Sequence, residues 1–524
     1  MYPVISHNTT TRFALLGKLG CFFLLVSFWG CRTEEEYSAL NQAPKTVISI
    51  DNIKQSGSNR LITQLTLHWN ATDADGTVIG YRLGWGQDTS TAIAQLNASP
   101  LIQKTDSTFL FNFEQQNGQG DSADIVFCVQ AIDNKLLGDP APPILTIPVK
   151  NSRPQISFLD DGMSLADTIW SVLSFPYTFS DPDGEGNIDS ILIRINDGPW
   201  VNLPKNVRFL SLVPEDPGAL NATNSLAFAG ENLATQTQEP QPISNVSIPG
   251  LVLNDFNRIY LRIKDLAGSE SMDTAGKAYY VRRKTSDFLM VDAFKEALPL
   301  GDTAYYNLMS GISTYDKLDL LYQKGAEGYV NQPKFWNATY YLLARLYKKH
   351  FWFSNIFNTT VGEVPMLLSY AAPSYNQYLR FNGKLLISTI LPPPPSQLLP
   401  DDPIFSLVPI DSVTRQVGSA RLLARAPIIP EVAGFDTLWN RPSQKPGIDI
   451  FYPKPGIEIL YTIPRTSLSQ VFTAPGKAIA IRTKNPFNNR SNLIFFGMEI
   501  TQLTGNRTNL NNTISKILND EFNW

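Results

Sequence analysis

The chain has 524 residues, 43% of them hydrophobic and 17% charged, with a formal net charge of −4, the composition of a folded protein rather than a disordered one. So mild an acidic balance argues against a nucleic-acid partner, which requires a basic stripe. Three cysteines (Cys21, Cys31, Cys128) and three histidines (His7, His68, His350) exclude a disulfide framework and give no set from which to build a zinc or copper cluster.

Taken in chain order, residues 1–30 read as a targeting segment. Two cations, Arg12 and Lys18, precede an apolar run from Leu19 to Gly30. At about 12 residues the run falls short of the roughly 20 that span a bilayer, and it has the charged-then-apolar plan of a secretory signal peptide. The ending Phe28-Trp29-Gly30-Cys31 resembles a bacterial lipobox, which implies that Cys31 is acylated and becomes the mature N-terminus. Arg32-Thr33-Glu34-Glu35-Glu36 opens a tether, residues 31–44, whose like charges cannot collapse onto a core. It resembles the export signal of Bacteroidetes-type surface lipoproteins. That implies an outer-membrane protein, exposed at the cell surface and held to the membrane through its N-terminal lipid. A soluble secreted protein with an incidental cysteine is the alternative.

Residues 45–150 consist of short β-type runs. In Leu65-Thr66-Leu67-His68-Trp69 the apolar residues alternate onto one face and leave Thr66 and His68 on the other. Asp73-Ala74-Asp75-Gly76 is a turn, Val78 to Leu83 a second strand, and Asp124 to Asn134 another strand with its turn. Together they predict an antiparallel sandwich, with His68 exposed and Cys128 a small buried hydrophobe. Trp69 to Gly76, Tyr81, and Val129 to Asn134 resemble fibronectin type III-like modules of bacterial surface proteins.

The pattern recurs in residues 151–284. Tyr177-Thr178-Phe179-Ser180-Asp181-Pro182-Asp183-Gly184 echoes Trp69 to Gly76, and Tyr260 to Asp265 matches the strand ending at Asp133. A second antiparallel, Ig/fibronectin III-like β-sandwich is expected, with residues 204–250 as a long inserted loop of the kind that carries binding surfaces. Asp181, Asp183, Glu185, Asn187 and Asp189 place oxygens at alternate positions with Gly186 sixth, and resemble the opening of an EF-hand calcium loop. Leu192 stands where the bidentate glutamate belongs, so a plain acidic turn is the alternative. Calcium is the one cofactor this sequence raises.

Residues 285–524 change style. Strand-like runs at 288–292, 350–354, 383–388, 478–481 and 492–497 alternate with helical spacing at 334–349, 366–381 and 509–522, which predicts a mostly parallel sheet covered on both faces. FLMVD at 288–292, HFWFS at 350–354, NGKLLIS at 382–388 and SNLIFFGMEI at 491–500 resemble, in this order, the class I glutamine amidotransferase-like fold. The resemblance implies a flavodoxin-like α/β three-layer domain. Its chemistry requires a cysteine activated by a histidine. This domain has no cysteine, Ser388 lacks the flanking glycines of a nucleophile elbow, and His350 opens a strand among aromatics, where a packed residue is expected. The implied domain is catalytically degenerate, with Asp292, Ser388 and Glu499 at strand ends lining a vestigial pocket.

The whole reads as a multidomain, non-catalytic, lipid-anchored envelope protein that presents binding modules to a protein or glycan partner. Trp85, Trp200 and Trp336 are the aromatics considered for stacking on sugars. The alternatives are a hydrolase acting through residues 285–524, with Ser388 or an acid pair, and an accessory subunit of an outer-membrane export or uptake complex. Asp-Ser or Asp-Thr pairs followed by an apolar residue or threonine, at Ser107, Ser122, Thr168, Ser190, Thr274, Thr303, Ser412 and Thr437, resemble O-glycosylation sites of the same bacterial group.

Overall fold

The structure, a computed structural model, describes residues 40–50, 55–56, 60–61, 64–110, 122–159, 168–230, 239–295, 301–324, 329–355, 367–390, 403–415, 421–446, 449–469 and 478–523. Over these residues the chain is a multidomain protein made mostly of β-sheet. Among them no helix is long and apolar enough to cross a membrane. The signal segment, Cys31 and the tether up to residue 39 lie outside the described residues.

In the first module the strand Gln64–Thr72 buries Leu65, Leu67 and Trp69, because alternate residues of an extended chain point to opposite faces. It lies between Lys45–Ile50 and Asp106–Leu110 in an antiparallel sheet. A second sheet pairs Val78–Gly86, Ser122–Asp133 and Ile144–Lys150, also antiparallel. The two inner faces meet through Trp69, Tyr81, Phe127, Val129 and Ile147. His68, expected to be exposed, is half-buried, since its strand is the central one and has neighbours on both sides.

A helix that the sequence did not announce, Thr89–Ala98, packs on Val78–Gly86; Asp88 caps it by accepting the Thr91 N–H at 2.8 Å. Close approach depends on Gly84, where a Cβ would lie 2.1 Å from the Ala92 carbonyl oxygen. Ala92 and Leu96 thereby cover Val126 and Cys128, and burial pushes the Cys128 thiol above its ordinary range.

The second module is again built from antiparallel sheets. One has the spatial order Gln241–Leu251, Thr223–Ala229, Phe209–Pro214, Leu173–Ser180, Gln155–Phe158; the other runs Val201–Leu203, Ile188–Ile195, Ile259–Asp265, Thr274–Ala275. Their shared core includes Phe175, Tyr177, Ile191, Ile193, Leu261 and Ile263. The long loop expected over 204–250 is therefore corrected to sheet over much of its length. Phe209–Pro214 is buried at every position, so the strand shows no alternation to read. Leu210 and Leu212 point into the module, while Phe209 meets Phe335 edge-on at 5.1 Å and Val213 joins the buried cluster of Tyr340, Tyr341 and Ala344. Module and C-terminal domain thus share a core.

In the C-terminal domain, parallel strands lie in the spatial order Asp316–Asp319, Phe288–Ala293, Lys349–Ser354, Lys384–Ser388, Ser491–Phe496. Counted along the chain, that order is 2-1-3-4-5. Every residue of Phe288–Ala293 and of Ser491–Phe496 is buried, because alternate side chains feed two cores. Leu289, Val291, Trp352 and Leu385 pack with the helices Tyr341–Arg345 and Leu367–Arg380. Met290, Phe351, Phe353 and Leu386 pack on the other face with Gly301–Met309 and Arg507–Lys516. The sheet is mixed, which corrects the mostly parallel expectation. Beyond Ser491–Phe496 come Ala478–Lys484, Glu458–Thr462, Pro427–Pro430 and Leu438–Trp439, each antiparallel to its neighbour. The run at 478–481 was expected; the other three are too short, or in Pro427–Pro430 too interrupted by proline, to show a period.

Candidate functional site

The C-terminal ends of parallel strands are where an open α/β sheet leaves a crevice. Asp292 is near the end of Phe288–Ala293 and pairs in register with Asp319 of the edge strand, so the two acids fall on one face. Lys317 shares that face with Asp319 by the two-residue period of a strand. From the helix Gly301–Met309, Asp302 and Tyr306 come to the same place, one turn apart. The Lys317 ammonium sits 3.7 Å from Asp292, 3.5 Å from Asp319 and 3.9 Å from Asp302, and 4.1 Å from the centre of the Tyr306 ring. One cation thus serves three carboxylates. Next to them opens a cavity of about 390 Å³, lined by Asp292, Asp302, Asp319, Lys295, Tyr322 and Tyr329, among others.

Asp292 is only 2% exposed. It accepts the Phe294 N–H at 3.0 Å and the Tyr306 hydroxyl. Burial nevertheless dominates and, with Asp319 nearby, pushes its carboxyl up to about 7 against these hydrogen bonds and Lys317. Burial and then Asp292 hold Tyr306 firmly in its neutral form. The site can accept hydrogen bonds, attract a cation or polyol, and exchange a proton near neutral pH. Among the described residues no serine, threonine or cysteine lines it.

Ser388 and Glu499 do not join Asp292 around that cavity, which corrects the expected three-residue pocket. Ser388 is fully buried. Its hydroxyl donates to the Met498 carbonyl at 2.9 Å, accepts the Ile500 N–H at 3.1 Å, and lies 3.0 Å from the Tyr305 hydroxyl. It ties its strand to the turn that follows the neighbouring strand Ser491–Phe496. Glu499 accepts from Gln502 at 3.0 Å and lies 3.9 Å from the Lys445 ammonium. His350 stands near the start of the strand next to that of Asp292, in register with Leu289 and so towards the opposite, N-terminal end of the parallel strands. Its Nε2 donates to the Ala344 carbonyl at 3.0 Å and its Nδ1 accepts from Tyr375 at 3.3 Å; burial lowers it to about 3, so the ring is neutral.

The calcium-loop set does not converge either. Asp181, Asp183 and Asn187 are buried, whereas Glu185 and Asp189 face solvent, because a 3-10 turn at Glu185–Asn187 breaks the alternation. Of the aromatics, Trp200 is covered by Arg194 at 4.7 Å and Arg262 at 4.5 Å. Trp85 is 37% exposed and packs on Phe109 and Phe127, and Trp336 stacks on the exposed Tyr370. Ser107, Ser190, Thr274, Thr303 and Thr437 are half-buried.

Sequence reasoning missed Asp302, Tyr306, Lys317 and Asp319. The signal was there in Asp316-Lys317-Leu318-Asp319-Leu320, whose alternation marks a strand with Lys317 and Asp319 on one side.

No known family model matches the chain, and no curated protein matches it. Among solved structures, the fibronectin(III)-like modules of Clostridium thermocellum CbhA superpose at 10% identity and a TM-score of 0.16, covering 45% of this chain and 94% of theirs. Domains 4 and 5 of the S-layer protein SbsC superpose at 12% identity and 0.17, covering 45% and 98%. Scores this low add nothing to the sandwich architecture, which rests on the strand pairing.

Proposed function

We propose that this is a lipid-anchored protein of the bacterial outer membrane, exposed at the surface and tethered through Cys31, that binds a carbohydrate in its C-terminal domain without turning it over. What carries the binding half is the cavity beside Asp292. Its carboxylates accept hydrogen bonds from hydroxyls, and Tyr322, 52% exposed, and Tyr329 offer ring faces on its wall. The fibronectin III-like modules serve as the spacer that presents it.

In this reading the C-terminal domain is flavodoxin-like and akin to the class I glutamine amidotransferases, with its chemistry lapsed. The strand order 2-1-3-4-5 supports the first part. Ser388 held by the Met498 carbonyl and the Ile500 N–H, and His350 buried towards the N-terminal end of its strand, support the second. The anchor rests on Cys31 and the short apolar run before it.

Calorimetric titration of the purified mature chain with surface glycans tests the binding. Saturable heat is expected, weakened at least about tenfold in Asp319→Asn and in Tyr322→Ala; unaltered affinity in both variants would refute this site. Intact mass of the native protein reads the lipid on Cys31 and any glycans, and an unmodified Cys31 would end the anchoring half.

One observation favours a second reading. Asp292 near neutrality, paired in register with Asp319, suits an acid-pair hydrolase. Glycoside turnover lost in Asp292→Asn but kept in Ser388→Ala would establish it in place of binding alone.

A further inference from the structure

Both sandwich modules begin with the same arrangement of polar groups. In the first, the Asn41 side-chain amide donates to Asp133, the Gln42 N–H donates to Asp75, and the Asp75 N–H donates to Asp73. In the second, the Asn151 amide donates to Asp265 at 2.7 Å, the Ser152 N–H donates to Asp183 at 2.6 Å, and the Asp183 N–H donates to Asp181 at 2.8 Å. The same atoms are left over in each copy. Asn41 Oδ1 and Asp73 Oδ2, like Asn151 Oδ1 and Asp181 Oδ2, are buried without a hydrogen-bond partner.

The copies differ in charge compensation. In the first module the Lys135 ammonium lies 3.8 Å from Asp75. Two residues beyond the strand-end acid of the second module, where Lys135 would stand, is Ala267. Asp181, Asp183 and Asp265 are 7%, 8% and 1% exposed, and among the described residues no lysine or arginine forms an ion pair with any of them. Arg208 pairs with the exposed Glu185 instead, at 3.7 Å. Burying carboxylates beside one another without a cation is costly, and burial followed by Asp183 and Asp265 raises Asp181 to about 6.

The second module adds one more group. Asn187, 4% exposed, lies close enough to Asp181 to favour its ionised form, yet neither end of its amide meets hydrogen-bond geometry. Acids alone do not make a metal centre here, since among the described residues no three acidic, histidine or cysteine side chains are placed to hold a metal ion. What singles the place out is one carboxylate oxygen, Asp181 Oδ2, and the amide oxygens of Asn151 and Asn187, each buried without a hydrogen-bond partner. Hard divalent cations take that mixture of donors.

We propose that the second module holds a calcium ion at Asp181, with the amide oxygens of Asn187 and Asn151 as further ligands and Asp183 and Asp265 supplying negative potential, a compensation that the first module draws in part from Lys135. Asn151 belongs to the linker between Ile144–Lys150 and Gln155–Phe158, so occupancy fixes the junction between the modules. With so few formal charges, the site has the millimolar affinity of extracellular calcium modules. It is independent of the carbohydrate proposed for the C-terminal cavity.

The full mature chain, stripped with chelator, is titrated with terbium and competed with calcium, and its thermal midpoint is read with and without calcium. Saturable terbium emission displaced by calcium, with a raised midpoint, is expected. Asp181→Asn, nearly isosteric, should weaken binding at least about tenfold, as fits the dependence of affinity on ligand charge. Asn187→Leu should do the same, and decides the matter if the first variant does not fold. Asp73→Asn, in the module with its own ammonium, should bind like the parent. Absence of calcium-competed emission overturns the site, as does wild-type affinity in the folded Asp181 or Asn187 variants, or loss of binding in Asp73→Asn.

Discussion

Replacing Asp292 by asparagine should stabilise the protein at alkaline pH. The carboxyl is raised from its ordinary 3.8 to about 7, chiefly by burial. An acid raised in the folded state contributes full stability below its unfolded value, and that contribution is lost as pH rises through its folded value. At 1.36 kcal/mol per unit, the shift amounts to about 4 kcal/mol, of which about 2.5 falls between about pH 5 and pH 8. The substituted amide would not titrate, and it can still accept the Phe294 N–H. Urea unfolding of both proteins at the two pH values, with equal slopes as the check on two-state behaviour, isolates the difference, since every other titrating group is common to both. The parent should lose about 2.5 kcal/mol more than Asp292→Asn over this range. Parallel stability curves would refute the claim that burial holds this carboxyl near neutrality.

Ser388→Ala removes a buried hydroxyl that satisfies Met498 and Ile500, and should cost about 2–4 kcal/mol in chemical denaturation while leaving carbohydrate affinity intact. His350, lowered from 6.5 to about 3, contributes stability above pH 6.5 that is lost as pH falls towards 3. The parent should therefore lose about 3 kcal/mol more than His350→Gln between about pH 7 and pH 4. Gly84→Ala should push the Thr89–Ala98 helix off its sheet, lowering stability by about 1–3 kcal/mol and speeding thiol labelling of Cys128, which that helix covers.

The first sandwich was legible because its strands are buried on one face. Leu65, Leu67 and Trp69 alternate with polar residues, and so do the inward residues of Ile188–Ile195 and Ile259–Asp265. Reading failed where burial comes from both sides. Phe209–Pro214 carries apolar residues to the module's core and to the C-terminal domain, so its composition reported no periodicity. The Thr89–Ala98 helix failed for another reason: it has only Ala92 and Leu96 as buried residues, too small a stripe to recognise. At the candidate site, Asp292 could be placed at a strand end from its apolar neighbours. Its partners Asp302 and Lys317 come from other elements, and their meeting depends on the parallel register between Asp292 and Asp319, which no local pattern encodes.

The hydrophobic seam that Phe209 and Val213 make with Phe335 and Tyr340 has a mechanical consequence. Load running along the polypeptide from its N-terminal side cannot open a hinge at residue 284 without tearing apart packed aromatic surface. The cavity beside Asp292 therefore keeps a constant aim relative to the second sandwich.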